Sequence, residues 1–192
     1  MLIIQEIFGC FLIGIIGMVG LLIFFFPVYF LLRKRISLSR QIVYFLFVVC
    51  ILVICSATFL GWIIDVLLEG KKILVVERSL NVIPFKFITE TWVMGERKQI
   101  TQTIANILMF MPPGFIFPVA FEKMRKFWKT TSCMICFSFL IEFIQYFVGR
   151  SADIDDLILN TLGGMLGYLV YYIFSKLFKD KKIWKWLIGT TS

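Results

Sequence analysis

Few side chains in this sequence could do chemistry, and most fall close together. Glu142, Gln145, Arg150, Asp153, Asp156 and Asn160 lie within one short stretch, with Asn106 upstream. Glu142 and Gln145 are spaced i and i+3, so a helix places them on one face. Asp153 and Asp156 share that spacing, and Asn160 comes one turn further along. Carboxylates, amides and a guanidinium together can bind a polar or charged group through charge-assisted hydrogen bonds. They could also run carboxylate acid–base chemistry, or hold a hard cation such as Mg²⁺ against a phosphate. Histidine is absent from all 192 residues. That excludes Ser-His and Cys-His nucleophile pairs and the commonest zinc ligand.

The elements that position these residues follow from hydropathy. The chain is 60% apolar and 17% charged, whereas soluble domains run about 45–50% apolar and about 25% charged. A soluble globular domain is thereby excluded. A membrane-crossing helix needs about 20 apolar residues. Five stretches qualify: about Ile7 to Leu32, Gln41 to Ile64, Ile104 to Phe121, Thr130 to Val148 and Leu157 to Phe178. The expected fold is an all-α membrane protein, a compact bundle of about five transmembrane helices. A long apolar outer loop separates the second and third. The first stretch is not a signal peptide, because it lacks a basic leading segment and its apolar run is too long.

The loop charges orient the bundle through the cytoplasmic bias of Lys and Arg. Arg33, Lys34, Arg35 and Arg40 fill the first loop, and Lys123, Arg125, Lys126 and Lys129 the third. Lys176, Lys179, Lys181, Lys182 and Lys185 crowd the tail. The second loop is nearly balanced, and the fourth is acidic, with Asp153, Asp155 and Asp156 against Arg150. This alternation predicts a cytoplasmic C-terminus and an outer N-terminus in the bacterial cytoplasmic membrane. The net charge of +8 is then a topology signal, and no nucleic-acid partner is expected.

Several features call for no special role. Trp184 and Trp186 among lysines suggest a short interfacial helix. Cys10, Cys50, Cys55, Cys133 and Cys136 read as small packing residues. Gly163 and Gly167 form a GxxxG pair suited to close helix packing within the bundle. No metal site is expected. Ser151 is a plausible N-cap for the last span, with Asp153 to Asp156 in its first turn. Pro112 and Pro113 should break the third span near its middle. In the second loop, Ile73 to Val76, Leu80 to Phe85 and Trp92 to Met94 should lie along the outer membrane surface, with a turn at Asn81 and Pro84-Phe85.

An ionisable residue inside a span is expensive and faces the bundle interior or a wet cavity. Glu142 is the clear case. Asn106, Glu142, Gln145, Arg150, Asp153, Asp156 and Asn160 come from three spans, all at their outer ends. A pocket opening outward would gather them. A structural network that locks the bundle is the alternative.

The run from Glu142 to Gly167, EFIQYFVGRSADIDDLILNTLGGMLG, resembles the signature of the VanZ-like membrane proteins. NILMFMPPG, from Asn106 to Gly114, resembles the N-x-x-x-F-x-P-x-G segment of that family, and NVIPF, from Asn81 to Phe85, its N-x-x-P-F element. The three pieces stand in the family's order. On this resemblance, residues 80–178 form a VanZ-like core with three spans. Residues 1–79 supply two further helices and the start of the outer loop, and residues 179–192 a basic, Trp-containing cytoplasmic tail. The resemblance implies a protein of mostly Gram-positive envelopes, in a family associated with resistance to teicoplanin and lipoglycopeptides but without an established reaction. It adds Asn81, Pro84, Phe85, Pro112 and Gly114 to the candidate pocket.

Three functions fit. The first is binding, without assigned catalysis or cofactor, of an amphiphilic or lipid-linked ligand such as a lipoglycopeptide or cell-wall precursor lipid. Membrane lipids are then partners. The second is a membrane-embedded enzyme acting on a cell-wall lipid or glycan, with Glu142 as acid or base and Asp153 and Asp156 holding Mg²⁺. The third is a transporter or flippase component.

Overall fold

The computed structural model describes residues 23, 25–31, 33–60, 63, 66, 80–86, 88 and 97–189. The expected first span, 7–32, lies largely outside them, although residues 25–31 are helical. Ile73 to Val76 and Trp92 to Met94 also lie outside the described residues. The elements are α1 (Leu38–Cys55), which continues into a π-helical turn (Ser56–Leu60), then β1 (Leu80–Asn81) and α2 (Arg97–Ala120). A 3₁₀ turn (Glu122–Met124), α3 (Phe127–Phe147), β2 (Ala152–Asp153), α4 (Ile154–Leu177) and α5 (Lys182–Leu187) complete them. Among the described residues, four helical stretches are long and apolar enough to cross a membrane: Leu38–Leu60, Ile100–Ala120, Phe127–Phe147 and Ile154–Leu177. The protein is an all-α membrane protein. Its two-residue strands pair in parallel, Leu80 opposite Ala152 and Asn81 opposite Asp153.

Lipid surrounds the helices, so large apolar side chains sit on their outer faces. Leu52, Leu108, Phe139, Phe143, Leu169 and Ile173 are all exposed. Burial of apolar surface therefore does little to hold the helices to one another, and close packing must do it. The tightest crossing joins α2 and α4. A Cβ added at Gly163 would overlap the Ile107 carbonyl oxygen, and one at Gly167 the Met111 carbonyl oxygen. One at Gly114 would overlap the Gly164 carbonyl oxygen. Backbone thus lies directly on backbone, which only glycine permits. The GxxxG pair packs inside the chain, as its spacing predicts.

The prolines do not break the helix. α2 runs unbroken from Arg97 to Ala120 through Pro112, Pro113 and Pro118. Each proline withdraws a donor from the carbonyl four residues back. Breaking the helix in the membrane would orphan more backbone groups than that, at several kcal/mol each. Pro113 and Pro118 are also fully buried, so packing fixes the stretch on one side while α4 glycines fix it on another.

The ends of the bundle differ sharply. At one, Arg40 donates to the terminal carbonyls of α2, to Val119 O at 3.0 Å and to Ala120 O. Arg125 donates to Ile188 O beyond α5 at 3.1 Å. Cations suit helix C-termini, where the last carbonyls lack partners. The tail forms the expected short helix, but Trp184 is not an interfacial residue. It is 4% exposed and packs in the core with Val119, Tyr168 and Tyr171. Its ring lies 6.0 Å from that of Tyr171 and 6.5 Å from that of Phe115. The aromatic gap at this end of α2 and α4 is wide enough to take it. Trp186, half-exposed, remains on the outside. The described cysteines 50, 55, 133 and 136 are free.

The crossing makes an ordered prediction. Gly167→Ala drives a methyl into a carbonyl that cannot retreat, and its overpacking cost lies in the upper part of ~1–3 kcal/mol. That outweighs the roughly 1 kcal/mol that Gly→Ala contributes to helix propensity. Gly164→Ala meets Cγ and Cβ of the buried Met134 at 2.5 and 2.9 Å, atoms close to the α3 backbone with little room to retreat, so it is destabilising too. Thermal unfolding in detergent should show a drop in Tm for both, larger for Gly167→Ala, whose methyl meets a backbone oxygen, than for Gly164→Ala.

Candidate functional site

The opposite end gathers the polar exceptions. α3 stops at Val148, and Gly149 follows with φ 82°, the left-handed conformation that ends helices. The chain reverses and enters β2. Because it stays extended through Ala152-Asp153 to pair with β1, α4 starts two residues later than Ser151 would start it. Asp153 is the N-cap, its carboxylate accepting from the Asp155 N–H at 2.8 Å. Ser151 is exposed and does not cap.

Glu142 is the joint between α3 and this turn. It is 9% exposed, and its Oε2 accepts from the Asp153 N–H at 2.9 Å. On the other side, Asn81 donates to Asp153 Oδ1 at 2.9 Å. Asn81 Oδ1 also accepts from the Ile83 N–H at 3.2 Å, an Asx turn. That turn carries Pro84 into Phe85, whose φ is 64°. A bulky side chain in this region costs about 1–3 kcal/mol and persists only where its surroundings enforce it. Here the Phe85 N–H donates to Asp155 Oδ1 at 2.6 Å. Asp155, 4% exposed, therefore belongs to the set, although its acidic first-turn position looks like simple capping in the sequence.

From α2, Asn106 donates to Asp156 Oδ1 at 2.5 Å. One turn deeper, Asn160 donates to Ser138 Oγ at 3.0 Å, both fully buried. α1 joins through its π turn. That turn leaves the Thr58 carbonyl outside the α-helical ladder, and two α3-side donors converge on it: Gln145 Nε2 at 3.0 Å and Arg150 Nη1. Thr58 has no signal in the sequence, because its backbone oxygen and not its side chain makes these contacts.

The structure thus gathers three hydrogen-bonded groups at one end of the bundle: Asn81, Phe85, Glu142, Asp153 and Asp155; Asn106 with Asp156; and Gln145 and Arg150 on the Thr58 carbonyl. Asn160 lies one turn below Asp156. Pro84 is exposed in the turn. Pro112 and Gly114 do not join these groups. Pro112 lies on the exposed side of α2, and Gly114 is buried in the crossing against Gly164. Among the described residues, no group of three or more Cys, Asp or Glu is arranged to hold a metal ion. The arrangement supplies carboxylate acceptors and one guanidinium at the mouth of an apolar bundle. It suits recognition by hydrogen bonds and charge.

The sequence profile of the VanZ/LLP1 family matches residues 42–175, from the second turn of α1 to the last of α4. Protein VanZ of Enterococcus faecium is 33% identical over 108 residues. That alignment covers 56% of this chain and 61% of the relative, so it spans less than two thirds of the relative's length. No solved structure matches. The profile takes in nearly all of the four described spans and the whole acidic end, and the chain belongs to the VanZ/LLP1 family.

Proposed function

We propose that this protein works at the outer face of a bacterial cytoplasmic membrane, where its acidic end engages an amphiphilic or lipid-linked ligand. The observation that carries this reading is a juxtaposition. Leu80, Val82, Ile83 and Phe85 are 62%, 66%, 63% and 54% exposed. They belong to the same short segment whose Asn81 side chain and Phe85 N–H hold Asp153 and Asp155. Apolar side chains at that position rest in the acyl boundary, while the carboxylates and Arg150 stay at headgroup level. A ligand with an acyl chain and a polar head meets both surfaces at once. A lipoglycopeptide or a cell-wall precursor lipid has that form. Through its family, the protein's phenotype would then be resistance to a glycopeptide such as teicoplanin.

The orientation belongs to the same reading. The basic end, with Arg33, Lys34, Arg35, Lys123 and Lys126 exposed, faces the cytoplasm, and the acidic end faces outward. In a cysteine-free background, Ser151→Cys should react with a membrane-impermeant maleimide in intact cells, and Lys182→Cys should react only after lysis. The reverse pattern would invert the assignment.

The functional test uses a teicoplanin-susceptible Gram-positive host expressing the intact chain. The expected result is a raised inhibitory concentration. Arg150→Ala and Glu142→Gln should return it to the host level while membrane abundance, measured by immunoblot, is unchanged. Full resistance in both variants would sink the reading.

A further inference from the structure

Resting on the reading of the acidic end as a binding surface, the hydrogen-bond inventory points to which head group it takes. Most donors there are already used; among the described residues Arg150 keeps guanidinium N–H groups beyond the Nη1 that bonds Thr58 O. The side-chain nitrogens of Asn81, Asn106, Asn160 and Gln145 each have an acceptor, and so do the N–H groups of Phe85, Asp153 and Asp155. Acceptors are left over. Among the described residues, Glu142 is bonded through Oε2 alone, and Asp156 through Oδ1 alone. Two buried carbonyl oxygens have no partner at all, Asn160 Oδ1 and Gln145 Oε1. Their residues are 2% and 5% exposed.

Helical spacing places these groups together. Ser138 lies one turn below Glu142 on α3, and Asn160 one turn below Asp156 on α4. The Asn160–Ser138 hydrogen bond fixes the two helices at that level. The carboxylates of Glu142 and Asp156 therefore stand on the next rung up, on facing helices, above the unpartnered Asn160 oxygen. A buried acceptor without a donor costs about 1–3 kcal/mol, and neighbouring carboxylates repel each other. Both costs are relieved by one kind of guest, a positively charged hydrogen-bond donor. Arg150, held on Thr58 O, offsets the repulsion only in part, because Asp153 and Asp155 add two more carboxylates; a phosphate head would bring further acceptors and negative charge.

We propose that the Glu142–Asp156 rung, floored by Asn160, is a cation site that takes a cationic group such as the ammonium head of an amphiphile. A bare monovalent cation shares that chemistry, and the experiment separates the two.

The test reconstitutes the intact chain in nanodiscs of neutral phosphatidylcholine. It measures binding of dodecylammonium, dodecyl phosphate and dodecyl maltoside. The wild-type chain should bind dodecylammonium at least about tenfold more tightly than the other two. Asp156→Asn and Glu142→Gln should each remove that preference while maltoside binding stays the same. The wild-type comparison stands even if a variant misfolds. Competition by sodium or potassium chloride, but not by an equal concentration of choline chloride, identifies a bare cation as the occupant. Loss of affinity under all three salts alike identifies general screening of an ammonium site. Equal binding of all three amphiphiles, or tighter binding of the phosphate, overturns the cation site and leaves the amphiphile reading intact. Binding of none of them overturns both.

Discussion

The contact on which the rest depends is the glycine crossing of α2 and α4. In lipid, apolar surface gains nothing by moving from tails to protein, so helices stay together only where they fit closely. Gly114, Gly163, Gly164 and Gly167 let two backbones meet without side chains between them. The same closeness brings Asn106 on α2 within hydrogen-bond reach of Asp156 on α4, two turns above Gly163. A wider crossing would leave an amide and a carboxylate unpaired at membrane depth. Packing in the middle of the bundle thus sets the chemistry at its end.

The two ends solve the helix-terminus problem in opposite ways. At the basic end, arginines reach over and satisfy terminal carbonyls, as Arg40 does for α2 and Arg125 does beyond α5. At the acidic end, carboxylates collect the free N–H groups of turns and helix starts, as Glu142 does for Asp153 and Asp155 does for Phe85. Each arrangement agrees with the helix dipole at that point. The charge asymmetry between the two ends is also what caps their helices.

Much of this was legible in the residues. Four spans fall within a few positions of their hydropathy limits, because the membrane sets helix length directly. Glu142, Gln145 and Asn160 stood out because so few polar side chains occur in the spans. Other features have no signature of that kind. The π turn at Ser56–Leu60 exposes a main-chain oxygen, which side-chain identity does not encode. The N-cap moved from Ser151 to Asp153 because a long-range strand pairing keeps the chain extended, and local propensity is blind to that. Pro112 and Pro113 looked like a break because proline rules are learned in water, where a broken helix is resolvated at little cost. Trp184 looked interfacial by composition, yet a gap between α2 and α4 takes it in.

The parallel pairing of Leu80-Asn81 with Ala152-Asp153 has a topological consequence. It clasps together two points in the chain that flank the α2–α3 hairpin, closing a loop over residues 82–151. The entropy of closing so long a loop grows only slowly with its length. A few short hydrogen bonds must nevertheless offset it at a site where water competes. Neither glycine crossing nor arginine cap depends on that clasp. The clasp is therefore a separate tie, between the segment that precedes α2 and the turn that precedes α4.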